Sequence, residues 1–133
     1  MDTPLYHSLA NRASELVSAG DRLAAIEILE TLVRSELPAF DRAIMCMNIA
    51  IVHGQMGDRD KALETYNHAV DLERETESYF IAQSRAAYYA EIGLYDESLR
   101  SYDDLLRHPH LKPGDHDVFQ QNIATLKGLR KAP

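Results

Sequence analysis

Residues 43–73 read AIMCMNIAIVHGQMGDRDKALETYNHAVDLE and decide the fold. Apolar residues recur three or four positions apart on each side of Gly57, which is the spacing of a helix that is buried on one face. The recurring residues are Met45, Ile49, Val52 and Met56 before the glycine, and Ala62, Tyr66, Ala69 and Leu72 after it. The stretch therefore predicts two amphipathic helices that fold back on each other at Gly57 and Asp58.

The same pattern occurs twice more, around Gly20 in GDRLAAIEILETLV and around Gly93 in GLYDESLRSYDDLL. The spacings between the turn glycines are 57 − 20 = 37 and 93 − 57 = 36 residues. Three sets of residues lie at matching distances from the three glycines. Seven positions before each glycine stand Ala13, Ala50 and Ala86. Five positions after it stand Ala25, Ala62 and Ser98, and nine positions after it stand Leu29, Tyr66 and Tyr102. The small residues stand where paired helices must approach closely. Self-similarity with a period of about 34 residues indicates a stack of helical repeats.

Residues 57–73, GDRDKALETYNHAVDLE, closely resemble the second half of the tetratricopeptide repeat motif. The resemblance implies an all-α fold, a right-handed superhelix of three antiparallel helix pairs in a single domain over residues 1–133. The three repeats would span about 5–38, 43–75 and 79–110. Because a stack of repeats needs a cap over its last apolar face, a final amphipathic helix is expected at about 115–130. Its apolar residues are Val118, Phe119, Ile123, Leu126 and Leu129.

Capping residues mark the predicted helix starts. Asp21 and Asp58 follow the first two turn glycines and can accept hydrogen bonds from free helix amides, whereas Leu94 in the third copy cannot. The third turn is therefore expected to be the least stable of the three. The other predicted caps are Asp2 or Thr3 for the first helix and Thr76 or Ser78 for the fifth. Asp115 or Asp117 is expected at the start of the last helix, where a negative charge matches the helix dipole.

The composition is that of an ordinary globular domain, with 45% hydrophobic and 26% charged residues among 133. A formal net charge of −7 disfavours nucleic acids and anionic membranes as partners, since both require a basic surface. The single cysteine, Cys46, excludes an internal disulfide. No apolar run reaches the roughly 18 residues of a membrane span, and the first residues lack a basic leader, so a cytoplasmic location is expected.

In tetratricopeptide repeats the first helix of each pair lines a concave surface that receives a peptide, and the resemblance assigns this surface residue by residue. The predicted partner-binding residues are Asn11 and Ser14 in the first copy, Ile44, Met47, Asn48, Ile51 and Gln55 in the second, and Phe80, Gln83, Ser84 and Ala87 in the third. Amides in this set can pair with a peptide backbone. The family's clamp for acidic chaperone tails needs cations where Ala10, Phe80 and Ser84 stand, so such tails are not expected to bind. A solvated inner face without a ligand is the competing interpretation.

The sequence predicts a non-catalytic protein-protein interaction module that binds a peptide segment of a partner protein and uses no cofactor. Cys46 stands at a core position of the motif, without a histidine at a catalytic spacing. His108, His110 and His116 crowd one loop with Asp115, but their spacing fits no metal-binding pattern, so no metal is predicted. The alternative function is a homodimeric scaffold, formed through an end face or through the tyrosines of the third copy, Tyr79, Tyr88, Tyr89, Tyr95 and Tyr102.

Overall fold

The computed structural model describes residues 3–131. In this range the chain forms seven α-helices and no strand, which confirms the predicted all-α class. The helices are α1 Thr3–Ser18, α2 Arg22–Val33, α3 Ala39–Gln55, α4 Arg59–Glu73, α5 Phe80–Glu91, α6 Tyr95–Leu106 and α7 Pro113–Lys131. They divide into two compact units, of which the first ends at Thr76 and the second begins at Glu77. No helix within residues 3–131 has both the length and the apolar character needed to cross a bilayer.

The three turns between paired helices share one backbone conformation. Gly57 has a φ of 79°, and the other two turn glycines have 86° and 84°, a region that residues with a Cβ rarely enter. The Gly57 N–H donates to the Gly54 carbonyl at 3.0 Å, and the Asp58 N–H donates to the His53 carbonyl at 3.0 Å. This pair of bonds is the Schellman motif, which satisfies the last carbonyls of α3. Equivalent bonds close α1 and α5.

The helices that follow these turns begin with different caps. The Asp21 carboxylate accepts a bond from the Ala24 N–H at 3.4 Å, and the Asp58 carboxylate accepts one from the Lys61 N–H at 3.2 Å. Leu94 occupies the cap position of α6 and makes no side-chain cap bond. The predicted contrast between two capped turns and one uncapped turn is confirmed.

One predicted helix start in the second half needs correction. Helix α5 begins at Phe80, with Tyr79 in the cap position; the Phe80 N–H donates to the Ser78 hydroxyl at 3.2 Å. Neither Thr76 nor Ser78 occupies the cap position, although the sequence predicts that one of them does. The Thr76 hydroxyl instead donates to the Glu73 carbonyl at 2.7 Å, at the end of α4.

The other two predicted starts lie at the ends of the chain. Helix α7 begins at Pro113, slightly before the predicted position, and Asp115 lies in its first turn. The predicted cap of α1 falls on Asp2 or on the Thr3 side chain, and both lie outside the described part of the chain.

The small residues at matching positions of the first two repeats lie in the core of the first unit. Ala25, Ala50 and Ala62 are fully buried at 0% exposure, as their positions in the repeats predict. Cys46 on α3 is also buried, and its thiol donates to the Thr65 carbonyl at 3.4 Å. Burial raises the pKa of Cys46 to about 11, so the thiol stays protonated at neutral pH. It packs as a small hydrophobic residue, which confirms the core interpretation.

Helix α7 completes the core of the second unit by packing on α6. Its Phe119 is fully buried, and the ring centroid lies 5.5 Å from that of Tyr102 and 6.2 Å from that of Tyr79. Ser98 replaces the repeat alanine on α6; it is fully buried, and its hydroxyl donates to the Ala86 carbonyl at 2.7 Å. The predicted helix is therefore present and covers an apolar side of α6.

Tyr79 ties the start of α7 to the start of α5. Its hydroxyl donates to the Asp115 carboxylate and accepts a bond from the Lys112 N–H at 3.2 Å. Its ring centroid lies 5.0 Å from that of His108. Burial, together with the bond to Asp115, raises the pKa of Tyr79. This contact holds the loop before α7 in place.

The tyrosines of the third copy are drawn into the packing of the chain. Tyr79 and Tyr102 are buried, and Tyr88, Tyr89 and Tyr95 are half-buried. The homodimer that uses these tyrosines stays a prediction, for which the three half-buried rings are the accessible part.

Candidate functional site

A groove of about 260 Å³ lies between α1 and α3 in the first unit. Helix α1 lines it with Ala10, Ala13, Ser14, Val17 and Ser18. Helix α3 lines it with Met45, Asn48, Ile51, Val52 and Gln55, and α2 adds Leu29. Spacings of three and four residues place each set on one face of its helix, so the groove follows directly from the helical repeat.

The groove has an apolar floor and a polar rim. The floor residues are at most 5% exposed and are Ala13, Leu29, Met45 and Val52. The rim carries the hydroxyls of Ser14 and Ser18 and the amides of Asn48 and Gln55. Ile51 is 37% exposed and lies among these rim residues. A ligand side chain would therefore contact hydrocarbon below and hydroxyl and amide groups around it.

The lining residues of the groove carry no ionisable side chain. At its edge the Arg22 Nε donates to the Gln55 Oε1 at 3.4 Å. Because the oxygen of the Gln55 amide accepts this bond, its NH₂ group is the part that can donate to a ligand. The groove lining can therefore hydrogen-bond a neutral main chain, with the Arg22 guanidinium at its edge.

The predicted site residues of the first unit divide into two groups. Ser14, Asn48, Ile51 and Gln55 line the groove together. Of the other three, Asn11 is exposed, Ile44 is half-buried, and Met47 is buried at 7% exposure; none of the three lines the groove.

The floor of the groove was absent from the predicted site. Met45 and Val52 belong to the apolar stripe that predicts α3, and Leu29 belongs to the stripe of α2. The helical period correctly places these residues inside. The helical period does not predict that the buried face of α3 opens to solvent beside α1, because this opening depends on the distance between α1 and α3.

The predicted residues of the third copy lie on one face of α5. Phe80 is 54% exposed and Ala87 is exposed, while Gln83 and Ser84 are half-buried. Their spacings of three and four residues explain why they share this face. They belong to the second unit and form a separate candidate surface.

The histidine-containing loop is held by local contacts. The His110 Nε2 lies 4.0 Å from the Glu77 Oε1, and the His116 Nδ1 lies 3.6 Å from the Asp117 Oδ1. The rings of His108 and His110 are 5.8 Å apart. Across residues 3–131, no three or more His, Cys, Asp or Glu side chains converge in a group that could hold a metal ion.

The central part of the chain matches a known repeat family. Residues 43–76 match the tetratricopeptide repeat. This range contains α4 and most of α3, the helix that supplies half of the groove. The match confirms the resemblance inferred from the sequence of this stretch.

The chain is also similar to curated photosystem I assembly proteins named Ycf3. The protein of Prochlorococcus marinus strain MIT 9313 is 35% identical over 91 residues, which cover 65% of this chain and 53% of that protein. The protein of strain MIT 9303 is 34% identical over 91 residues, which again cover 65% of this chain and 53% of that protein. The protein of Rippkaea orientalis is 38% identical over 53 residues, or 40% of this chain and 31% of that protein. The chain thus spans about half the length of the first two relatives, or less for the third.

Proposed function

We propose that the chain is a non-catalytic module that binds a peptide segment of a partner protein between α1 and α3. The match of residues 43–76 to the tetratricopeptide repeat supports this proposal. One observation carries the proposal. The groove combines buried apolar residues with uncharged hydrogen-bonding groups, which is the pattern that recognises side chains and main chain of a peptide together.

Three groove residues have a defined part in this proposal. Ile51 contacts an apolar group of the ligand, and the amides of Asn48 and Gln55 pair with its main chain. Asn11, Ile44 and Met47 support the same region from beside the groove. On α5, Phe80, Gln83, Ser84 and Ala87 form a second proposed contact surface.

The relatives suggest the setting in which such binding takes place. They are named for the assembly of photosystem I. By similarity we propose that this chain holds a protein component while a larger complex is assembled, in a cytoplasmic location. A protein that holds a component needs no catalytic group, which agrees with the protonated, buried thiol of Cys46.

The test compares two variants in the native cell. Ile51→Arg places a cation in the groove, where an apolar ligand would strip its water without compensation, so partners cross-linked to the wild-type chain should be lost. Leu23→Arg is the matched control, because Leu23 is 67% exposed and lies outside the groove. It should keep all partners. Both variants should retain the wild-type circular-dichroism spectrum.

Two results would contradict the proposal. If folded Ile51→Arg captured the same partners as the wild type, binding would lie on another surface, such as the α5 face. If Ile51→Arg were unfolded, Ser14→Leu would replace it, since Ser14 is exposed and an added leucine fills the groove without charge. Retention of all partners by that variant would likewise reject the groove.

A further inference from the structure

We infer that an amphipathic α-helix of a partner protein docks along α7, in the groove that α7 forms with α6. This surface belongs to the second unit and shares no residue with the groove between α1 and α3, so the inference goes beyond the proposed function. Three observations carry it: the place of α7 in the repeat, the lining of the groove, and two opposite charges on its rims.

Helix α7 presents the surface of a first helix without a second helix beside it. Continuing the repeat from Ala86 by 37 or 38 residues reaches Ile123 and Ala124. The repeat alanines seven positions before each turn glycine are at most 2% exposed and are Ala13, Ala50 and Ala86. In contrast, Ile123 is half-buried and Ala124 is exposed. No further helix follows α7 within residues 3–131.

The third copy shows what contacts this position in a complete pair. The Ser98 hydroxyl on α6 donates to the Ala86 carbonyl on α5 at 2.7 Å, so the second helix packs directly on the repeat alanine. The matching position of α7 instead lines an open groove. A helix docked there would contact α7 as α6 contacts α5.

The groove is long enough for several turns of helix. At one end the Arg130 guanidinium donates to the Asp96 carboxylate at 3.1 Å, and at the other end Leu106 and Gln120 line the groove together. From Asp96 to Leu106 the length is about 15 Å at 1.5 Å per residue, or about three helical turns. Two adjoining depressions of about 240 and 380 Å³ make up the groove.

The floor of the groove is apolar. Leu99 is 8% exposed, and Leu106 and Ile123 are half-buried. An apolar stripe laid on these side chains would gain from burial. Ala124 carries only a methyl group, and because side chains at the contact set the distance between packed helices, it allows a second helix to approach closely.

A helix suits this lining better than an extended segment does. The main-chain groups of a helix pair with each other, whereas those of an extended segment need partners on the surface that it covers. Gln120 is the only neutral hydrogen-bonding side chain among the lining residues of the groove. An extended segment would therefore leave most of its main-chain groups unpaired against the apolar floor.

Two opposite charges on the rims indicate the side chains of the partner. Asp103 on α6 and Lys127 on α7 both line the groove, and neither side chain forms an ion pair among residues 3–131. A partner helix with a basic residue toward α6 and an acidic residue toward α7 would meet both charges. Exposed pairs of this kind add little affinity, but they fix the orientation of the bound helix.

The test uses a phage-displayed library of amphipathic helices, selected on the folded full chain. Apolar residues are fixed at the helical period and the positions between them are random. Enriched helices are then measured by fluorescence anisotropy. Ala124→Arg places a long cation in the groove and should raise Kd at least about tenfold. Thr125→Arg is the matched control, because Thr125 is also exposed but lies about 100° further around α7, outside the lining, and Kd should stay within about twofold.

A charge exchange tests the orientation. Lys127→Glu should raise Kd severalfold, and replacing the acidic residue of the bound helix by Lys should restore binding to this variant. Lys131→Glu is the control, since Lys131 is exposed and does not line the groove. All four variants should keep the melting temperature of the wild type, because each changes an exposed residue.

The outcomes separate this inference from its alternatives and from the proposed function. Enriched helices should bind Ile51→Arg as tightly as the wild type, since Ile51 lies in the other groove. Equal binding to the wild type and Ala124→Arg would overturn the inference. It would also be overturned if a proline in the middle of an enriched helix left Kd unchanged, because an extended segment would then be the ligand. If light scattering showed a wild-type dimer that Ala124→Arg converts to a monomer, a second copy would occupy the groove and the inference would fail.

Discussion

The second and third helix pairs, α3–α4 and α5–α6, reach the same turn geometry with different side chains. Each closes its first helix with a left-handed glycine, with φ of 79° and 84°, and with the same two carbonyl bonds. Asp58 then caps α4, whereas Leu94 gives α6 no side-chain cap. The comparison teaches that the glycine sets the turn and that the capping carboxylate adds stability to a turn already formed.

The two pairs also differ at the buried position five residues after the turn glycine. Ala62 on α4 is fully buried, and the equivalent Ser98 on α6 is fully buried as well. A buried hydroxyl is costly unless it is hydrogen-bonded, and Ser98 meets this need by donating to the Ala86 carbonyl at 2.7 Å. The third pair thus keeps the close approach with a polar residue because a carbonyl acceptor lies within reach.

A third difference is that α6 carries the added helix α7. The buried cluster of the second unit draws Phe119 and Leu126 from α7 together with Leu99, Tyr102 and Leu105 from α6. The core around α5–α6 is therefore completed by a helix outside the pair, while Ala25, Ala50 and Ala62 in the first unit lie within paired helices.

The largest expected effect comes from removing the anchor of α7. Phe119→Ala deletes a fully buried ring and leaves a cavity, so the free energy of unfolding of the second unit should fall by about 3–5 kcal/mol. Val118→Ala, at 44% exposure on the same helix, is the matched control and should cost less than about 1 kcal/mol. Peptide-resolved hydrogen exchange would show faster exchange in α5, α6 and α7. Equal exchange in both variants would mean that Phe119 is not an anchor.

A smaller loss is expected from overpacking the central pair. Ala62→Leu adds volume at a contact with no free space, so unfolding free energy should fall by about 1–3 kcal/mol. Glu64→Leu also introduces a leucine, but at an exposed position of α4, and serves as the control. Urea denaturation measures both. A midpoint for Ala62→Leu that matched the control would show that α3 and α4 can separate without cost.

Most of the fold could be predicted from the sequence because it depends on local rules. The period of apolar residues gives the helices, and glycines such as Gly57 give the turns, so each element follows from its own few residues. One error lies at the predicted cap of α5. Thr76 has the right residue type for a cap, but its hydroxyl bonds the end of α4 instead of the start of α5.

The candidate site could be predicted only in part because it depends on the distance between helices. Asn48, Ile51 and Gln55 follow from the helical face that the resemblance assigns. Met47 is buried although it was expected on the same face, and Leu29 forms part of the groove floor from another helix. Neither outcome can be read from α3 alone, since both depend on how its neighbours are packed around it.

The cap itself should contribute less than the packing. Asp58→Ala removes the bond to the Lys61 N–H, so the free energy of unfolding should fall by about 1 kcal/mol. Asp60→Ala removes a carboxylate from the same first turn without removing the cap, and its smaller expected loss isolates the charge effect. Thermal or urea unfolding measures the difference. Equal losses in the two variants would indicate that charge near the helix start matters and the cap bond does not.

The smallest expected effect is the reverse change in the third turn. Leu94→Asn supplies the side-chain acceptor that α6 lacks, and because Leu94 is already 37% exposed little apolar burial is lost. The second unit should gain about 0.5 kcal/mol.

Leu94→Asp separates the cap from its charge. It places a carboxylate beside Asp96 and Glu97 in the first turn of α6, where repulsion between like charges should cancel part of the gain. Hydrogen exchange of α6 at two salt concentrations would distinguish the cap bond from the charge repulsion. Added salt should screen the repulsion, so the protection of α6 in Leu94→Asp should rise to that in Leu94→Asn. If neither variant slowed exchange, the uncapped amides of α6 would already be satisfied by solvent, and the difference between the second and third turns would carry no energetic weight.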